Sequence, residues 1–455
     1  MTEVGAIRLA PRRWPSYPNY GEAGPAWLGC APESWSVTRL KHSCQGFVAG
    51  GTPDSDNSAF WADGADGTPW VAIGDLTRGS RVARTERTLT AAGLAARKLA
   101  VLPAGTILYS MYASLGKVAT LDVPAATNQA ILGVIPDSRM LQAPFLRWWL
   151  ESLEPHVRQF SSSNTQDNLN AETVRNMPLY LPSRSEQRAI AHFLDRETGK
   201  IDALVAKKQR LIELLQEKRT AVISDAITKG LDPDVPMKDA GVGRLGDLPR
   251  PWTASPLMRL VDPERPIMYG IVLPGPDFPG GVPIIKGGDV SPERLVLERL
   301  NRTDPEIEAK YVRSRLAGGD IVYAIRGSIG AAAVVPDALE GANLTQDTAR
   351  VAPRTGVHVG WLMYALQASP IFAQLEAGAV GATIRGINIF SLKRADLPVP
   401  PQGEQVAIRQ YLDLQTRRMD ELVESVRGAI ERLREYRSAL ITAAVTGQID
   451  LGATL

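Results

Sequence analysis

The chain has 455 residues, a soft expectation of about three domains at roughly 150 each. Its 51 Lys and Arg against 49 Asp and Glu leave a net charge of +2, and 44% of residues are hydrophobic. That balance excludes a disordered polyelectrolyte and a histone-like tail, but not DNA binding, which depends on where the charges sit. Two cysteines, Cys30 and Cys44, are too few for a disulfide framework or a structural zinc site. No apolar run is long enough to span a bilayer, and residues 1–14 lack the apolar core of a signal peptide. The expected location is cytoplasmic.

Taken in order, residues 1–24 read as a variable leader. Residues 25–180 are dense in Gly and Pro and carry short β-type runs, Trp70-Val-Ala-Ile73 and Thr106-Ile-Leu-Tyr109, with a helical patch at 144–153. Residues 181–229 are helical, free of proline after Pro182, with Gly199 expected to break them into a short first segment and a long arm. Residues 230–242 have the Pro, Gly and Asp content of a connector. Residues 243–397 repeat the first mixture, with Pro283-Ile-Ile285, Asp320-Ile-Val-Tyr323 and a helical patch at 359–368, and 398–455 are helical again. The fold class expected is α+β: two α/β domains alternating with two long helices.

That order is a duplication. Leu28-Gly29-x-x-Pro32-x-x-Trp35 recurs as Leu245-Gly246-x-x-Pro249-x-x-Trp252, and Glu186-Gln187 as Glu404-Gln405, 218 residues on. The same offset joins Leu194-Asp195 to Leu412-Asp413, Asp202 to Asp420, Arg219 to Arg437 and Thr228 to Thr446. Small solenoid repeats have much shorter periods. In the first helical region Ile201, Leu204, Leu211, Leu215 and Val222 form an apolar stripe. In the second, Met419, Leu422, Val426, Leu433 and Leu440 do so, widened by Val423, Ile430 and Ile441. Two arms of roughly 42 Å are expected to pair as an antiparallel coiled coil with pseudo-two-fold symmetry. The alternative is that each helix packs only on its own globular domain.

No catalytic constellation emerges. Gly241-x-Gly243-x-x-Gly246 matches a dinucleotide fingerprint, but a polar connector precedes it and Pro249 and Pro251 follow, where a strand and a helix are required. Gly116-Lys117 is followed by Val118, so it is no phosphate-binding loop. Pro276-Asp277 with Glu308-x-Lys310 could serve a metal-dependent nuclease, but reads better as a turn and an acidic helix start. His42, His156, His192 and His358 are scattered.

The run Glu217 to Gly241, leading into Leu245-Gly246-x-x-Pro249-x-x-Trp252, closely resembles the central region of specificity subunits from type I restriction–modification systems. Gly50-Gly51-Thr52-Pro53, with Phe60-Trp61-x-x-Gly64 and Pro69-Trp70-Val71, resembles the opening of a target recognition domain, as does Gly270 with Gly281-Val-Pro283 and Gly288-Asp289. The resemblance implies a non-catalytic subunit whose two target recognition domains each read half of an asymmetric, bipartite double-stranded DNA site, with the paired helices as a ruler. It implies two modification subunits that bring S-adenosylmethionine, and restriction subunits that bring ATP and Mg²⁺ chemistry. No cofactor, metal or membrane is expected for this chain itself. A single-chain DNA methyltransferase or nuclease, or a coiled-coil scaffold that does not bind DNA, are the alternatives.

For DNA contact, Arg78, Arg81, Arg84 and Arg87 recur every third residue, as on one face of a helical turn, and Arg97 and Lys98 follow. In the second domain Lys286, Arg302, Arg313, Arg315 and Arg326 are the candidates. Arg385 and Asn388 stand opposite Asp167 and Asn170 across the duplication, the asparagines reading as caps or turn residues.

Overall fold

The computed structural model describes residues 14–21, 28–62, 66–112, 114–160, 168–242, 245–377 and 386–451. Gly64, Asp167, Gly243, Arg385 and most of the leader lie outside these. The chain divides into two compact units, one of residues 1–208 with 428–455 and the other of 209–427. Each holds one globular α/β part and two half-helices.

In the first unit, strand Ser36–Arg39 pairs antiparallel with Pro178–Leu181 and closes the globular part where the chain enters and leaves it. Between them lies a five-stranded sheet in the order Cys44–Ala49, Ile131–Pro136, Ile107–Ser110, Val118–Leu121, Arg81–Val82. A four-stranded sheet runs Trp61–Ala62, Arg87–Leu89, Thr68–Val71, Ala126–Thr127, its last pair parallel. Ile107, Leu108 and Tyr109 are buried on both faces, so this central strand reads as an unbroken apolar run.

The second unit repeats the scheme. Thr253–Pro256 pairs with Asp396–Val399, and a four-stranded sheet runs Met268–Tyr269, Thr348–Val351, Ile321–Ala324, Ala332–Val334. A three-stranded sheet runs Arg302–Thr303, Val282–Ile285, Asn343–Leu344. The expected connector is itself built: Met237–Asp239 pairs antiparallel with Asp247–Pro249, and Gly241 and Gly246 take positive φ in the turn between them.

The two helical patches are Ala143–Ser152 and Val359–Gln367, each with more than half of its residues buried. Each is pinned to a long helix by one pattern. Gln187 accepts from Gln142 N–H, and Gln405 accepts from His358 N–H, both at 2.8 Å. Trp148 donates to Asp195 at 3.0 Å, and Tyr364 to Asp413 at 2.9 Å. Asn170 and Asn388 cap short helices, each accepting a backbone N–H.

The long helices are Arg184–Lys229, of 46 residues, and Gln402–Val445, of 44. Gly199 does not break the first. A lone helical glycine costs only about 1 kcal/mol against alanine, and the buried Leu194 and Ile201 on either side hold the helix to the core. The half-helices of each unit run antiparallel. In the first, Trp35 touches both the start of one helix and the end of the other: its Nε1 donates to Glu186 at 3.3 Å, and a Cβ on Gly447 would lie 3.2 Å from its ring. Further in, Arg437 pairs with Asp202 at 2.9 Å and Glu151 at 2.7 Å. In the second unit Trp252 donates to Glu404 at 2.7 Å and packs on Gly230, and Arg219 pairs with Asp420 at 3.5 Å. Gly230 and Gly447 both take positive φ, ending their helices where a larger residue would strike the indole.

The inward stripe differs from the expected one. Leu204, Leu211 and Leu422 are 43%, 40% and 45% exposed. The next residues, Val205, Ile212 and Val423, turn inward instead. The seam runs Ile201, Val205, Lys208, Ile212, Leu215, Arg219, Val222 and Ala226 on the first helix, in steps of four and three. On the second it runs Met419, Val423, Val426, Ile430, Leu433, Arg437 and Leu440.

Candidate nucleic-acid interface

Both globular parts carry a frame built from the same backbone bonds, and in the second part the frame opens into a surface cleft. In the first, the strand Cys44–Ala49 ends in Gly50-Gly51, and Gly51 N–H donates to Thr127 O at 2.8 Å. A Cβ on Gly50 would stand 2.2 Å from Thr127 O, so only glycine permits that approach. In the second, Ile271 N–H donates to Leu344 O at 2.7 Å, and a Cβ on Gly270 would stand 2.0 Å from that oxygen. Leu169 N–H donates to Met111 O, and Ile387 N–H to Ile325 O, closing each frame from the far side.

The lining differs. The cleft of the second part, of about 590 Å³, is bounded by Tyr269, Val272, Arg326, Gln346 and Asn388. The positions equivalent by backbone bonding in the first part are Thr52, Tyr112, Gln129 and Asn170. Beside them, Trp70 donates to Gly51 O at 3.0 Å and meets Trp61 edge-on at 5.1 Å. The Arg87 guanidinium lies over the Trp61 ring at 3.3 Å. Sequence reasoning missed the glutamines. Their signal was a Gln two residues after each Thr127/Leu344 strand end, visible once the duplication is aligned by strands.

The basic residues do not form one helical face. Arg78 caps helix Ile73–Thr77, Arg81 lies on Arg81–Val82, Arg84 on a loop and Arg87 on Arg87–Leu89. The three-residue spacing is broken by strand pairing: Arg81 lies beside Thr120 in the five-stranded sheet, while Arg87 opposes Trp70 in the other. Arg78 is paired with Asp75 at 3.1 Å and Glu86 at 2.8 Å. Arg81 grips Asp122 with two bonds, of 3.0 and 2.6 Å. Arg84, Arg97 and Lys98 are exposed and have no acidic partner among the described residues. Lys98 holds φ +49°, and the bonds Lys98 N–H to Ala95 O and Leu99 N–H to Leu94 O make it the left-handed stop of helix Ala91–Ala96.

In the second part, Arg302 donates to Gly281 O at 2.8 Å. Arg315 grips the buried Glu308 with two bonds, of 2.7 and 2.6 Å, and Asn343 adds a third at 2.9 Å. Hydrogen bonding from Arg315 holds the Glu308 carboxyl below its ordinary range. Asp277 accepts from Arg302 N–H at 2.8 Å. Both carboxylates of the nuclease reading are thus occupied in supporting loops. Lys286 is half-buried before the turn Gly287–Asp289, its N–H on Asp289. Arg313 is exposed and Arg326 lines the cleft.

A domain model described as the type I restriction modification DNA specificity domain matches residues 32–214. The EcoBI specificity subunit of a type I restriction enzyme of Escherichia coli is 25% identical over 331 residues, 72% of this chain and 70% of that one. The similarity is to specificity subunits of type I restriction enzymes. The MjaIX specificity subunit of a type I restriction enzyme of Methanocaldococcus jannaschii is 29% identical over 194 residues, 42% of this chain and 43% of that one. A chain solved in work on complex assembly and conformational transition of the type I R-M system shares the fold, with a TM-score of 0.68 at 17% identity over 92% of this chain and 99% of that one. No helix among the described residues is long and apolar enough to cross a membrane.

Proposed function

We propose that this chain is the DNA-specificity subunit of a type I restriction–modification complex, a cytoplasmic assembly. Its two α/β parts, residues 25–180 and 243–397, are target recognition domains that each read half of a bipartite, asymmetric duplex site. The observation that carries this is the pair of frames, built from equivalent backbone bonds and bearing different side chains, the second opening into a cleft. Equivalent frames present two modules to DNA alike, and unlike linings make the half-sites unlike. Exposed cations without a local carboxylate, Arg84, Arg97, Lys98 and Arg326, hold phosphates or base edges, with Arg87 steadied on Trp61. Arg78, Arg81 and Arg315 already face carboxylates, so they release few counterions on binding.

The chain supplies reading and spacing. Two modification subunits bring S-adenosylmethionine and adenine methylation, and restriction subunits bring ATP and Mg²⁺ chemistry. The exposed outer faces of the long helices, Leu204 and Leu422 at equivalent positions among them, receive the modification subunits. The test is genome-wide mapping of N6-methyladenine with and without the gene. The expected result is loss of methylation at a single two-part motif. Methylation by the purified chain with S-adenosylmethionine alone, or an unchanged methylome, would overturn the proposal.

A further inference from the structure

The two frames differ most informatively at one pair of residues. Gln129 and Gln346 occupy equivalent positions, each two residues past a strand that runs parallel to its neighbour. In the first part the Thr52 hydroxyl donates to Gln129 Oε1. In the second the equivalent of Thr52 is Val272, and the Gln346 side chain makes no hydrogen bond among the described residues. Its amide therefore faces the cleft with both its oxygen and its NH₂ available. Gln346 is also anchored, because its own N–H donates to Ile271 O at 2.9 Å, which fixes the Cα that aims it.

Arg326 stands beside it on the same rim. Its N–H donates to Asp347 O at 3.1 Å, so the backbone at Arg326 and the residue after Gln346 are tied together. A Cβ on Gly386 would meet Arg326 Cγ at 3.3 Å, so the arginine stem lies along the Gly386 backbone and its head is carried to the opening. The equivalent residue in the first part is Tyr112, which has no such charge. An amide with free donor and acceptor matches the N6 and N7 edge of adenine, and a guanidinium matches the O6 and N7 edge of guanine.

We infer that Gln346 and Arg326 are specificity-determining residues of the second recognition domain, Gln346 reading an adenine and Arg326 a guanine in the same half-site. The inference rests on the DNA-reading proposal above and assigns the bases that proposal leaves open. A well-made bidentate contact discriminates on the order of 10- to 100-fold between bases.

The test is selection from randomised double-stranded DNA by the chain assembled with its modification subunits. The wild type is expected to enrich one two-part motif. Gln346→Ala should lose selection at one A·T pair of one half, on the order of 10- to 100-fold. Gln346→Glu, nearly equal in volume, should move that position toward cytosine, whose amino group a carboxylate accepts. Arg326→Ala should relax one G·C pair in the same half. The other half and the gap should stay as they are, which also reports that the variants fold. Variants that select the wild-type motif, alter both halves or select nothing would overturn the inference. A wild-type complex that enriches no motif would instead overturn the DNA-reading proposal, and this inference with it.

Discussion

Trp35 and Trp252 hold the same post at two places in the chain. Each indole donates to the first-turn glutamate of one long helix and covers the terminal glycine of the other. Trp252→Phe keeps most of the volume but leaves Glu404 without its 2.7 Å donor, and a hydrogen bond to a charged group is worth about 1.5–3 kcal/mol. Thermal melting should show a loss within that range, and Trp252→Ala a larger one of about 3–5 kcal/mol. Lys98 presents the opposite case, a residue set where glycine is easier. Lys98→Gly should stabilise the first unit by up to about 1 kcal/mol, because left-handed backbone costs a side-chain-bearing residue roughly that much. If the lysine holds a phosphate, the same change should weaken binding on all sequences and shallow its salt dependence by about one counterion. Glu308 gives a pH signature. Its folded carboxyl is depressed by Arg315, so its contribution is full above the ordinary carboxylate pKa of about 4.3 and fades as pH falls through the lower folded value. Wild type should lose urea resistance over that acid window, and Glu308→Gln should be less stable at neutral pH yet flatter across it.

At the scale of elements, the long helices decide between two seams. Leu204-Val205, Leu211-Ile212 and Leu214-Leu215 are apolar doublets, as is Leu422-Val423. A 3.5-residue period cannot choose a member of each doublet, since either series repeats in steps of three and four. The partner half-helix and the aromatic helices Ala143–Ser152 and Val359–Gln367 make the choice, by burying one member and leaving the other exposed. Ile212→Ala should therefore cost about 2–4 kcal/mol, while its neighbour Leu211→Ala costs less than about 1 kcal/mol. Equal losses in denaturant midpoint would refute the seam. Arg219 and Arg437, each pointing at an aspartate of the facing half-helix, sit in that seam as paired charges. They fix register where an apolar residue would allow sliding, the best-attested use of polar seam positions.

For the whole molecule, modularity is the consequence to test. Ser36–Arg39 with Pro178–Leu181 closes the first globular part on itself, and Thr253–Pro256 with Asp396–Val399 closes the second. Replacing residues 36–181 by the corresponding stretch of a type I specificity subunit should change one half of the methylated motif and preserve its gap. Four residues inserted between Gly230 and Met237, ahead of the hairpin, should instead shift the tolerated gap by about one base pair and by no more than about four, since four extended residues reach at most roughly 14 Å, a folded insert uses part of that, and one base pair rises about 3.4 Å. Methylome mapping of both chains reads the outcome, and a swap that alters both halves would sink the modular reading.

The duplication, the α+β alternation and the resemblance to type I specificity subunits were legible in the sequence, because these rest on residues that recur in order. Trp35, Glu186, Asp202 and Arg219 reappear at fixed offsets, and the residues at both sets of positions meet as equivalent contacts in the two units. Only the tertiary structure decided which member of each leucine doublet faces inward, and whether Gly199 would interrupt its helix. It alone showed that Arg78 and Arg81 are neutralised, because Asp122 comes to Arg81 from another strand 41 residues on. It also drew Gln346, Arg326 and Val272 to one rim from three separate loops. Local patterns announce elements, since helix and strand periods act over a few residues. Which side chains share a surface follows from strand pairing and packing between distant segments, and spacing along the chain carries no trace of that.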